Sequence, residues 1–70
     1  MKINFTFHDE LRLKKSKLSK QEVTEAVRFP DKTIKKHGKY YYQKRLERGI
    51  IEVVAEITED NLNIITIYWL

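Results

Sequence analysis

The chain has 70 residues, 14 basic and 10 acidic side chains, a formal net charge of +4 and no cysteine. At that length it is one domain, residues 1–70, burying only about 60% of the surface its unfolded form exposes, which excludes a second domain or a deep cofactor pocket. Without cysteine there are no disulfides, thiolate zinc sites or cysteine nucleophiles.

In chain order, Ile3-Asn4-Phe5-Thr6-Phe7 alternates apolar and polar residues, the period of a half-buried strand. Asp9 and Glu10 then suit the first turn of a helix, whose N-terminal end is electropositive. Leu11, Leu13 and Leu18 give that helix a thin apolar stripe, and Arg12, Lys14, Lys15 and Lys17 load the rest of its surface. Ser19 and Glu22 have capping-box spacing, and Leu18 and Val23 stand at the two ends of a hydrophobic staple. Val23, Ala26 and Val27 continue a buried helical face until Phe29-Pro30 stops the helix. Two helices separated near Ser19 are therefore predicted.

The last 40 residues read as strands. A basic run, Thr33–His37, turns at His37-Gly38-Lys39 into Lys39–Leu46, which holds three consecutive tyrosines. Ile50–Thr58 and Leu62–Leu70, joined by Glu59-Asp60-Asn61, are nearly continuously apolar and are expected at the sheet centre, covered on both faces. Along the last strand, Leu62, Ile64, Thr66, Tyr68 and Leu70 alternate with Asn63, Ile65, Ile67 and Trp69. The expected class is α+β: a short strand, two helices, then a four-stranded antiparallel meander.

Charge is segregated along this plan. Arg12–Arg48 contains 13 of the 14 basic residues and four acids, hence +9, leaving −5 on the two ends. Such asymmetry is the footprint of a polyanion binder, although a composition rich in Lys, Glu and Ile has other sources.

His8, Arg12 and Leu13 opening a helix, Leu18-Ser19 ten residues after the histidine, Val23, Ala26-Val27 and Pro30, Tyr40-Tyr41-Tyr42 and a closing Thr66-Ile67-Tyr68 together resemble the domain-of-unknown-function family four-two-five-eight. That family is similar to BrnT and, more distantly, to the RelE/ParE toxins, so the resemblance implies a toxin-like fold in a superfamily of RNases and gyrase inhibitors. The chain departs from the pattern at Ser16-Lys17, where relatives tend to carry Arg-Gly.

RNA cleavage without a metal needs a base near the 2′-hydroxyl, an acid near the leaving oxygen and cations around the phosphate. His8 and His37 are the two groups that titrate near neutrality unaided. His8, which matches the family's histidine, is the candidate base or acid, and the bland alternative is a locally bonded helix-start residue. Arg12 lies one helical turn on, and with Arg45 it would supply cations; Tyr68 would donate a hydrogen bond. Lys14, Lys15, Lys17, Lys35, Lys36, Lys39 and Lys44 would form the electrostatic groove. Tyr40 and Tyr42 share a side with Lys44 and would stack on bases, unless strand propensity alone explains them. There is no glycine-rich phosphate loop and no paired-histidine spacing, so no cofactor and no metal site are expected.

The expectation is thus a small toxin-like domain that binds RNA and has the residue types to cleave it without a metal. The alternatives are a non-catalytic nucleic-acid-binding module and a toxin acting by protein binding. Expected partners are RNA or another nucleic acid, with an acidic antitoxin or a second copy of the chain as further candidates. No stretch reaches the roughly 20 apolar residues of a membrane helix, and Met1-Lys2-Ile3-Asn4-Phe5 is too short and polar for a signal peptide, so a cytoplasmic location is expected.

Overall fold

The computed structural model describes all 70 residues as β1 (Lys2–Asn4), α1 (Phe7–Ser16), α2 (Lys20–Arg28), β2 (Lys32–Lys36), β3 (Lys39–Leu46), β4 (Gly49–Thr58) and β5 (Asn61–Trp69). Strands β2 to β5 form the predicted antiparallel meander, and the sheet order is β1-β5-β4-β3-β2. One feature corrects the sequence reading: β1 pairs parallel to β5, Ile3 opposite Leu62, so the five-stranded sheet is mixed. That pairing joins residues nearly 60 positions apart, and no local pattern encodes it.

The first strand is also shorter than its alternation suggests. Thr6 caps α1, with its hydroxyl accepting from the Asp9 N–H at 3.1 Å and its own N–H donating to Asp9 Oδ2 at 2.8 Å. This is a capping box with aspartate in place of glutamate, and it pulls Phe7 into the helix, where the ring is 78% exposed. Asp9 itself is fully buried. The second box forms as predicted: Ser19 Oγ accepts from the Glu22 N–H at 3.1 Å and Glu22 Oε1 from the Ser19 N–H at 3.0 Å. Leu13, not Leu11, takes the buried position on α1, and Leu11 stays 47% exposed.

Leu13, Leu18, Val23, Ala26 and Val27 pack on one face of the sheet, against Tyr42 of β3, Ile51, Val53 and Ala55 of β4, and Leu62, Ile64 and Ile67 of β5. Both helices thus lie on the same side. The expectation that the central strands would be covered on both faces is not met, because 19 helical residues form one layer over five strands. A bulge places Val54 opposite Thr66 and Ala55 opposite Ile64, leaving Ile65 as the extra residue of β5. The simple alternation predicted for that strand breaks there. Before the bulge Leu62 and Ile64 face the helices; after it Ile67 and Trp69 do, and Thr66 and Tyr68 turn to the opposite face.

Arg48, in the β3–β4 turn, fastens the helices to the sheet. Its guanidinium donates to the Lys17 carbonyl at 2.7 Å and to Glu22 Oε2 at 2.6 Å, and lies over the Trp69 ring. Trp69 Nε1 donates to the Ser16 carbonyl at 3.1 Å. Both helices, the β3–β4 turn and β5 therefore meet at the inter-helix turn.

That turn passes through Lys17 at φ 56°, a left-handed conformation, while the Leu18 N–H returns to the Leu13 carbonyl at 2.9 Å. Lys17 is not a glycine, so its β-carbon strains the turn in this left-handed conformation. Lys17→Gly is expected to raise unfolding free energy by about 1 kcal/mol in urea denaturation, the cost of a non-glycine residue in this region.

Glu22 titrates below the ordinary glutamate range, first because the Ser19 N–H donates to its carboxylate and then because of Arg48. A carboxyl lowered in the folded state stabilises above its unfolded pKa, and that stabilisation is lost as pH falls through the folded value. On acidification below the ordinary carboxylate range, the wild type should lose more stability than Glu22→Gln in parallel urea titrations.

A candidate nucleic-acid interface on the open sheet face

The face turned away from the helices is set by strand register. Lys32 pairs with Gln43, Gln43 with Glu52, and Glu52 with Tyr68, a polar row crossing four strands. The next row is Ile34, Tyr41, Val54 and Thr66. Arg45 stands opposite Ile50 on one side of these rows, and Lys36 opposite Lys39 on the other.

No helix covers this face, yet Glu52 is 8% and Val54 5% exposed. The side chains that bury them must come from the face itself, chiefly Tyr41 and Gln43 of β3 and Thr66 and Tyr68 of β5. Glu52 is held by two neutral donors: Gln43 Nε2 gives a hydrogen bond of 2.7 Å to Oε2, and the Tyr68 hydroxyl donates to Oε1. No lysine or arginine forms an ion pair with it. A buried carboxylate without a counter-charge is costly in so small a domain, and it depends on these two donors. The Tyr68 phenol is pushed up to about 12, chiefly by its hydrogen bond to Glu52, then by burial and by the charges of Glu52 and Tyr41.

Shallow hollows flank the row. Lys32, Gln43, Arg45 and Ile50, together with Asp31 and Lys44, line one; Ile34, Lys36, His37, Tyr41 and Glu52 line the other. The side chains of Lys32, Lys36, Lys39 and Arg45 form no ion pair. Lys36 and Lys39 are direct cross-strand neighbours, a like-charge pair that an anion would relieve. His37 occupies the β2–β3 turn at φ 53°, followed by Gly38 at φ 75°, the two-residue turn that matches strand twist.

The candidate residues of the sequence reading are thereby divided. Tyr68, Arg45, Lys36 and Lys39 share the open face. His8, Arg12, Lys14 and Lys15 border a separate hollow on α1, with Leu11. His8 is exposed there, and Arg12 is half-buried with its Nε donating to the Ile67 carbonyl at 3.2 Å. That bond covers a stretch of β5 beyond the reach of β1. Lys17 sits exposed in the inter-helix turn. Tyr40 and Tyr42 point the other way: they stack at 6.0 Å on the helix side, Tyr42 is buried in the core, and burial, followed by the charge of Tyr40, raises its pKa. A ring so placed offers no face to a base. Lys35 lies over the Tyr40 ring, and Lys44 donates to the Phe29 carbonyl at 2.8 Å, which closes off the C-terminal end of α2. Tyr41, the tyrosine passed over, is the one on the open face.

Sequence reasoning also missed Glu52 and its partner Gln43. A signal was available: within Ile50–Ala55 it is the single charged residue in an otherwise apolar run. Such a residue is either misplaced or buried with partners.

Tyr68→Phe leaves one Glu52 oxygen without its donor. Urea denaturation should show a loss of about 1–3 kcal/mol at neutral pH. A phenol raised in the folded state stabilises below its unfolded pKa, and the contribution disappears as pH climbs through the folded value. The gap between wild type and variant should therefore narrow between pH 10 and about 12. Ultraviolet titration of phenolate should lose its latest-ionising step in the variant.

No curated protein and no solved structure matches the chain. The family described as "Domain of unknown function (DUF4258)" matches residues 5–69. With all but the first four residues and the last one inside that match, the chain belongs to the DUF4258 family.

Proposed function

We propose that this chain is an RNA-contacting domain of the toxin type, and that single-stranded RNA lies across the open sheet face. The observation that carries the reading is the concentration there of four cations without ion pairs, Lys32, Lys36, Lys39 and Arg45, around a centre containing Tyr41 and Tyr68. Unpaired cations suit phosphate oxygens, and aromatic rings suit unstacked bases, a combination that favours single strands over duplexes. The +9 charge of Arg12–Arg48 supplies long-range attraction in the same direction. The toxin-type part of the reading rests on the order of elements, one strand, two helices and a four-stranded meander, and on its resemblance to BrnT and RelE.

A second reading concerns α1. Phe7 and Leu11 are exposed one helical turn apart, next to His8, Arg12, Lys14 and Lys15. An apolar pair rimmed by cations suits an acidic protein segment such as an antitoxin, and this surface leaves the sheet face free.

Anisotropy titration of a labelled single-stranded RNA at low and physiological salt separates the two. If four cations each contact a phosphate, the slope of log affinity against log salt should be roughly −3, at about 0.7 per contact. Lys36→Glu combined with Arg45→Glu should weaken binding by about tenfold or more, and Lys14→Glu with Lys15→Glu by much less. Absence of binding at low salt would remove the RNA reading, and the reverse order of the two double variants would move the interface to α1.

A further inference from the structure

We infer that Glu52 is the general base of RNA transesterification on the open face, so that the substrate class is single-stranded RNA with a free 2′-hydroxyl. This inference rests on the RNA-contacting reading and assigns it a chemistry. Three observations carry it.

The first is that burial of Glu52 serves no packing need. Its neighbours on this face, Ile50 and Val54 along the strand, are apolar, and an apolar side chain at position 52 would remove the desolvation cost. The second is the nature of its partners. Gln43 and Tyr68 donate to both carboxylate oxygens and carry no charge themselves, so the carboxylate is oriented without an ion-pair partner. A carboxylate offers about four acceptor positions, of which these bonds take two, and Glu52 reaches the hollow lined by Ile34, Lys36, His37 and Tyr41. The third is the surroundings. Arg45 and Lys32 lie on one side of Glu52, and Lys36 and His37 border the hollow on its other side. A nucleotide whose 2′-hydroxyl meets Glu52 thus has a cation available for the adjacent phosphate in either direction along the strand.

The step balances without an added reactant. Glu52 takes the proton of the 2′-hydroxyl as the 2′-oxygen attacks the adjacent phosphorus. A P–O2′ bond forms and the P–O5′ bond breaks. The departing 5′-oxygen takes a proton from solvent, and Glu52 returns its own proton to solvent. The products are a 2′,3′-cyclic phosphate and a 5′-hydroxyl. Arg45 and Lys32 offset charge gathering on the phosphoryl oxygens. Tyr68 and Gln43 are positioning residues, holding the carboxylate along the line of proton transfer.

The test is incubation of the full chain with an end-labelled single-stranded RNA in EDTA, alongside the same RNA carrying a 2′-deoxy nucleotide at the cleaved position. The expected result is fragments ending in cyclic phosphate and 5′-hydroxyl from the first and none at that position from the second. Glu52→Gln should cut about 10²–10⁴-fold more slowly while binding RNA at least as tightly, since a negative charge leaves the face. Tyr68→Phe should lower kcat with little change in KM. Should Glu52→Gln fail to melt cooperatively, Glu52→Asp takes its place. Drawing the carboxylate back by one methylene should still cost about 10²-fold. Binding without cleavage, cleavage of the 2′-deoxy substrate, or full activity in a folded Glu52 variant would overturn the inference while leaving the RNA-contacting reading in place. Failure to bind RNA at low salt would overturn both.

Discussion

Strand β4 is the constraint to which the other elements are fitted. It lies at the middle of the sheet and gives Ile51, Val53 and Ala55 to the helix layer, while Glu52 and Val54 alternate onto the other face. A chain of 70 residues has one helix layer to place, and the face carrying three apolar side chains in succession receives it. The other face must then solve its own solvation, and it does so laterally, with side chains of β3 and β5 leaning over β4. Its polar row follows from that lateral cover, since Glu52 is buried with no second layer above it.

Local chemistry was legible wherever neighbours in sequence are neighbours in space. The Ser19–Glu22 box, the Pro30 stop, the β3 limits and the meander could all be read from spacing, because their hydrogen bonds stay within one helix turn or between strands consecutive in the chain. The Thr6–Asp9 box uses the same geometry with a shorter acid, and for that reason the first strand was drawn too long. The parallel β1–β5 pairing had no local trace. Of the candidate site, Tyr68 and Arg45 were legible as residues but not as neighbours of Glu52. The three tyrosines were correctly divided between two faces, and the two singled out for stacking lie on the face that the helices cover, because aromatic content says nothing about where the helices will pack. Tyr40 and Tyr42 had the lysine beside them, and the helices took that side.

The basic residues do two different things. Arg48 and Lys44 are structural, bound to carbonyls at the end of α1 and the end of α2, where the helix dipole favours a cation. Lys32, Lys36 and Lys39 sit on the hairpin at the sheet edge, where lysine also discourages another strand from pairing. Edge protection and the phosphate attraction we propose call for the same side chains in the same place. A charge count along the sequence cannot separate these tasks; the hydrogen-bond partners can.

The bulge at Ile65 divides β5 into two halves that are out of phase by one residue. Because of it, the same strand can supply Leu62 and Ile64, then Ile67 and Trp69, to the core while delivering Tyr68 to Glu52. In evolutionary terms the strand has a reading frame, and Ile65 is the inserted letter that sets it. Loss of one residue there would exchange the sides of Thr66 to Trp69 as a block, burying a tyrosine hydroxyl and exposing a tryptophan. Length between Ile64 and Thr66 is thus more tightly constrained than identity, whereas the tip at His37-Gly38, with no such phase to keep, can change length at little cost to the core.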